Sequence, residues 1–175
     1  MRIAVIGPVG SGKTTLARQL AERLGVPHVE LDSLRHGPGW VARPSFRVDV
    51  AAAVEQPVWV IDGNYGDDLG NLVLECADLV VWLDLPLRTT FARVARRSFA
   101  RMLRRTELWN GNRETFRTTF LERDGILYWS LGTHRPQRRA IAGRVAGIQG
   151  RVIHLRSSRQ VARWLAQEVT ATIAN

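Results

Sequence analysis

Residues 7–14 read Gly-Pro-Val-Gly-Ser-Gly-Lys-Thr, directly after the short apolar run Arg-Ile-Ala-Val-Ile at 2–6. Beyond them Leu16, Ala17, Leu20, Ala21 and Leu24 recur at helical spacing, and Gly25 and Pro27 mark the end of that helix. A strand buried on both faces, a glycine loop and a helix, in that order, point backbone N–H groups and a helix N-terminus at a phosphate. Few folds contain this arrangement. Gly7, Gly10, Ser11, Gly12, Lys13, Thr14 and Thr15 are expected to bind the phosphates of ATP. Lys13 would reach the β- and γ-phosphates, and the Thr14 hydroxyl would ligate Mg²⁺. Lys13 is also the only lysine in the chain; the remaining basic residues are all arginine. The compact ammonium is kept where a point charge must fit between phosphates.

Four more apolar runs, at 27–31, 58–61, 79–83 and 151–155, have the character of buried strands. The first three lead to Asp32, Asp62 and Asp84, at the strand edge where ligands of parallel sheets sit. Alternation of these runs with helical segments predicts an α/β P-loop NTPase fold: a five-stranded parallel sheet flanked by helices. With 175 residues the chain is expected to form one domain, 1–175. Ser157 and Gln160 predict a capping box for a last helix, whose spacing would bury Val161, Leu165 and Val169. Trp59 and Trp82 fall within strand runs and are expected in the core.

Net charge is +9, and it is unevenly placed. Residues 1–87 are acidic on balance, whereas 135–163 hold eight arginines and no acid. Such a field suits polyanions. Nucleic acid is therefore a conceivable partner, although no recognition helix, aromatic RNA motif or zinc knuckle is visible. No apolar stretch is long enough to span a membrane. The N-terminus enters a strand without the regions of a signal peptide, and Cys76 is alone, so a cytoplasmic location is expected. Cys76 reads as a small buried hydrophobe. His36 and His134 lack partners at metal-ligand spacing and predict no zinc site.

The segment 33–57 contains a Gly/Pro-punctuated loop around Trp40 and a helix predicted over 45–54; it is the expected acceptor-binding segment. From residue 86 onward, Phe91, Ala95, Phe99, Met102 and Leu103 mark an apolar helix side, and Arg93, Arg97, Arg101 and Arg105 form a stripe. A turn at 109–113 and a second helical stretch complete the layout of an arginine-rich lid at about 93–125.

Taken together, residues 7–14, the Asp-Gly-Asn-Tyr run at 62–65, the Leu-Asp-Leu-Pro run at 83–86 and the arginine-rich lid resemble the adenylate-kinase-like P-loop kinases. The Glu-Leu-Trp-Asn-Gly-Asn-Arg-Glu run at 107–114 is similar to that of bacterial members labelled topology modulation proteins. The resemblance implies Mg·ATP on the glycine loop, a small-molecule acceptor, and lid arginines on the transferring phosphate: Arg97, Arg101 and Arg105, then Arg113 and Arg117. It implies Asp62, with Thr14 and Glu30, at the Mg²⁺ site, and Asp62 also near the acceptor. Glu30 and Asp32, expected on one strand face, resemble the acid pair of shikimate-kinase-like enzymes, one supporting metal and one receiving a hydroxyl proton. Asp32 thus points to an alcohol acceptor, whereas Arg35, Arg47 and Arg113 point to an anionic group on it. The run Asp-Gly-Asn-Tyr in place of the adenylate kinases' Asp-Gly-Phe-Pro-Arg argues against AMP. Asp84 either serves the site or caps the helix after Pro86.

The expected function is that of an ATP-dependent phosphotransferase acting on a small polar or anionic acceptor, as a monomer or homodimer. A nucleoside or nucleotide kinase is one alternative; an ATP-switched nucleic-acid-binding regulator is another.

Overall fold

The three central strands are short apolar runs, and side-chain alternation sends their residues into two separate cores. The computed structural model describes residues 1–104 and 126–168. Its strands are β1 (Arg2–Ile6), β2 (His28–Glu30), β3 (Trp59–Asp62), β4 (Leu79–Leu83) and β5 (Arg151–Leu155). They form one sheet in the order β2-β3-β1-β4-β5, with every pairing parallel. Ala4, Ile6, Trp59, Ile61, Val80 and Trp82 face one side, among residues from helices α3 (Phe46–Val54), α5 (Leu72–Cys76) and α7 (Ile126–Ala146). Ile3, Val5, Val60, Val81 and Leu83 face the other, against α1 (Lys13–Leu24) and Trp164. The expected core roles of Trp59 and Trp82 are met, at 1% and 9% exposure. Cys76 is partly buried against the first core.

The edge strand differs from expectation. β2 ends at Glu30, and Leu31–Arg35 winds into α2, placing Asp32 in the first turn of a helix. Glu30 and Asp32 therefore do not share a strand face. An edge strand has one neighbour to hold it, and Leu31 instead buries itself against Gly63. Gly63 has φ +145° and a built Cβ would lie 2.7 Å from that of Leu31, so only glycine permits this approach.

Helix α6 (Leu87–Arg104) carries a second correction. Its buried line is Thr90, Val94 and Ser98, while Phe99 and Leu103 are exposed. Small residues win that face because α6 runs against the glycine loop: a Cβ on Gly10 would stand 2.4 Å from the Thr90 carbonyl oxygen. The last helix, α8 (Ser158–Arg163), is capped at Ser157, whose hydroxyl accepts from the Gln160 N–H at 3.2 Å. The Gln160 side chain reaches the Arg156 N–H at 2.6 Å, one residue before the cap. Val161 and Leu165 pack partly buried against the second core as expected, and Trp164, where a π-helical turn over Trp164–Glu168 begins, is the fully buried residue there. Val169 lies outside the described residues. Between α3 and α6, the remaining helix is α4 (Gly66–Leu69). Among the described residues no helix is long and apolar enough to cross a membrane.

Candidate active site

The glycine loop, the first turn of α1, and the C-terminal ends of β2, β3 and β4 meet at one edge of the sheet. Within the loop, Ser11 N–H bonds the Pro8 carbonyl at 3.1 Å, and the Lys13 ammonium donates to the same oxygen at 3.3 Å. Burial lowers the pKa of Lys13 from the ordinary lysine value; Asp32, Asp62 and Glu30 oppose that shift, and Arg97 adds to it. One ammonium thus feels three carboxylates from β2, α2 and β3 and a guanidinium from α6.

Asp62 is buried at 2% exposure. One oxygen accepts from the Thr14 hydroxyl at 3.0 Å and the other faces His28 Nε2 at 2.7 Å. Two residues on, Asn64 clasps the loop: its Oδ1 accepts from the Gly7 N–H at 3.1 Å, and its amide donates to the Gly7 carbonyl. Tyr65 then donates to Asp32 Oδ1 at 2.5 Å and lies 3.2 Å from His36 Nε2. Burial and the adjacent Asp32 charge raise the Tyr65 pKa well above the usual phenol range, so it remains a donor. A single tetrapeptide thereby ties the phosphate loop to Asp32. Asn64 and Tyr65 belong to the 62–65 run noted in the sequence but have no site role assigned there, and His28 is not singled out; the adjacency of Asn-Tyr to an acid-tipped strand is the local sign of the first two.

Hard oxygen ligands suit Mg²⁺, which keeps much of its shell as water and phosphate. The Thr14 hydroxyl and Asp62 carboxylate supply two such oxygens side by side. Glu30 stands at the end of β2, near enough to act on Lys13 but outside that contact. Among the described residues no group of three or more His, Cys, Asp or Glu is placed to hold a metal ion.

On the other side of the loop a pocket of about 590 Å³ is lined by Gly10, Gly12, Thr15, Gln19, Arg93 and Ser158, among others, and includes Arg97. Arg93 is pinned there, donating to the Ser11 carbonyl at 2.9 Å and the Ser158 hydroxyl at 2.8 Å. Arg101 falls within α6; Arg105, Arg113 and Arg117, with most of the expected lid, lie outside the described residues. Arg35, one helical turn from Asp32 in α2, and Arg47 of α3 both engage α4: Arg35 Nε meets Asp68 Oδ2 at 2.9 Å and Arg47 donates to the Asp68 carbonyl at 3.0 Å.

Asp84, at 5% exposure, caps nothing. Arg138 donates to both its oxygens, and His154 Nε2 lies 3.0 Å away while stacking on Trp82 at 4.0 Å. His134 is buried with Nε2 3.1 Å from the Leu85 carbonyl, a packed role.

Glycine loop, parallel strand order and acid-tipped strands define an α/β P-loop NTPase fold. Residues 3–56 match the family model "ATPase family associated with various cellular activities (AAA)". Over 34 residues the chain is 53% identical to adenylate kinase from Mycobacterium sp. (strain MCS), a match spanning 19% of this chain and 19% of that protein. In fold it is similar to shikimate kinase from Acinetobacter baumannii in complex with shikimate, with TM-score 0.59 and 19% identity, over 99% of this chain and 92% of that one. A deoxyadenosine kinase from M. mycoides, with products dCMP and dCDP, gives TM-score 0.56 and 14% identity over 100% of both chains.

Proposed function

We propose that this chain is a kinase that moves the γ-phosphoryl group of Mg·ATP to a hydroxyl of a small polar acceptor. The observation that carries the reading is that the run Asp62–Tyr65 joins the phosphate loop to a carboxylate: Asp62 accepts from the Thr14 hydroxyl at 3.0 Å, Asn64 holds Gly7 and Tyr65 holds Asp32 at 2.5 Å. A hydroxyl needs a base, whereas a phosphate acceptor is already an anion. Asp32 supplies that base, held in place by Tyr65.

Transfer of the phosphoryl group depends mostly on positioning and charge stabilisation. The loop N–H groups and Lys13 hold the phosphates, with the nucleotide extending toward the Arg93 pocket. Bound at Thr14 and Asp62, Mg²⁺ would supply charge for the β- and γ-phosphate oxygens. The acceptor oxygen bonds to the γ-phosphorus as the bond to the β,γ-bridging oxygen breaks. ADP leaves with that electron pair, and the hydroxyl proton passes to Asp32. Arg97, on the Lys13 side of α6, neutralises charge on the transferring group, with Arg101 and Arg105 as further contributors.

Nucleoside kinases are the nearest alternative within this chemistry, favoured by the fold of the deoxyadenosine kinase. The experiment is ADP release from Mg·ATP against nucleosides, nucleoside monophosphates, sugars, sugar acids and amino alcohols, with Lys13→Ala as control. Stimulation by one class that is lost in Lys13→Ala is expected. ADP release that survives the substitution, or tight ATP binding with no stimulation and nucleic-acid affinity switched by ATP, overturns the reading.

A further inference from the structure

Each cation of the acceptor segment is already committed among the described residues. Arg35 pairs with Asp68 at 2.9 Å and lies over the Phe46 ring, 5.6 Å from its centroid. Arg47 donates to the Asp68 carbonyl, and Arg43 pairs with Asp49 at 3.1 Å. An anionic acceptor could recruit Arg35 only by displacing Asp68, exchanging one carboxylate contact for another with little net gain. It would also meet Asp32, and like charges a few ångströms apart repel. The Tyr65 hydroxyl donates to Asp32 and has His36 Nε2 3.2 Å away, Trp40 stands edge-on to His36 at 5.5 Å, and the cation within reach of Asp32 is Lys13, which the phosphate loop already uses. Trp40 is 41% exposed and held at φ +62°, a backbone region that bulky residues rarely adopt and that marks functional loops.

We infer that the acceptor is an uncharged hydroxyl compound with an apolar face, selected against its phosphorylated or carboxylated counterparts by the Asp68 clamp on Arg35. This rests on the kinase reading above. The arrangement works as exclusion: attraction for an anion is neutralised within the protein, and a fixed carboxylate repels what remains.

The test measures kcat/KM for ADP release by the full chain with acceptor pairs that differ in one anionic group: ribose and ribose 5-phosphate, glycerol and glycerol 3-phosphate, adenosine and AMP. Turnover is expected to favour the uncharged member at least tenfold, and Asp68→Asn, which frees Arg35, should narrow that ratio at least tenfold. Preference for the anionic member, or a ratio that Asp68→Asn leaves unchanged, overturns the proposal. Binding decides the matter where no pair turns over. With a non-hydrolysable ATP analogue on the loop, AMP and inorganic phosphate should bind Asp68→Asn and not the natural protein. Arg35-dependent binding to the natural protein, or none to Asp68→Asn, overturns the proposal. Failure of the kinase reading itself would look different: the ATP analogue would not bind, or Lys13→Ala would leave ADP release intact.

Discussion

Tyr65 couples the two halves of the site through one hydroxyl, and its ring has a separate job, packing edge-on to Phe46 at 5.1 Å. Tyr65→Phe separates the two. The ring stays, and Asp32 loses the bond that fixes its orientation. A hydrogen bond to a charged group is worth about 1.5–3 kcal/mol, so kcat for ADP release should fall at least tenfold while KM for ATP holds. Equal changes in both would place Tyr65 with the nucleotide instead. Alkaline titration gives a second check. Because the folded-state pKa of Tyr65 is raised, the native state keeps a proton that the unfolded state loses above pH about 10. Stability is therefore present in full below that pH and declines as pH rises beyond it, and urea midpoints of Tyr65→Phe should show less of that decline. At this scale the sequence was only partly legible. Lys13, Thr14 and Asp62 follow from the motif and the strand end, whereas Asp32 pairing with Tyr65 depends on a strand stopping one residue early.

Helix α6 illustrates what periodicity reads well and what it misreads. The helix exists where the spacing places it, yet Phe99 and Leu103 of its expected apolar side are exposed. Periodicity assumes that the most apolar face is the buried one. Close approach to the glycine loop reverses this, because only Thr90, Val94 and Ser98 are small enough to sit there. Gly10→Ala tests that contact. Its Cβ would stand 2.6 Å from Val94 Cγ2 as well as against Thr90, at φ +76°. Overpacking and backbone strain of this kind cost about 1–3 kcal/mol each. Thermal melts with and without Mg·ATP should show a lower Tm and at least a tenfold loss of nucleotide affinity. A variant with wild-type affinity would mean that α6 need not touch the loop.

Across the whole molecule the strands were the most legible feature: the predicted limits of β1, β4 and β5 are those observed. Long-range ties were not legible. Asp84 joins the end of β4 to β5 through His154 and to α7 through Arg138, residues 70 and 54 positions away. Burial alone would raise its pKa, and the Arg138 and His154 bonds outweigh burial, so the folded value lies below the usual carboxylate range. Its stabilisation is present above pH about 4, the unfolded pKa, and is lost as pH falls through the lower folded value. Asp84→Asn should cost about 2 kcal/mol at neutral pH, less than a fully buried pair because Arg138 is half exposed. Below pH about 3 the difference in urea midpoint between the two proteins should shrink; a constant difference would assign the loss to packing. The lone lysine reaches further. Its side chain is the chain's single ε-amine, and burial holds its pKa down, so an acylating reagent with access would find more of the reactive free base there than on an ordinary lysine. Covalent labelling of side-chain amines in this protein is therefore a direct gauge of whether the phosphate loop is open, with one site to count and a bound nucleotide as its shield.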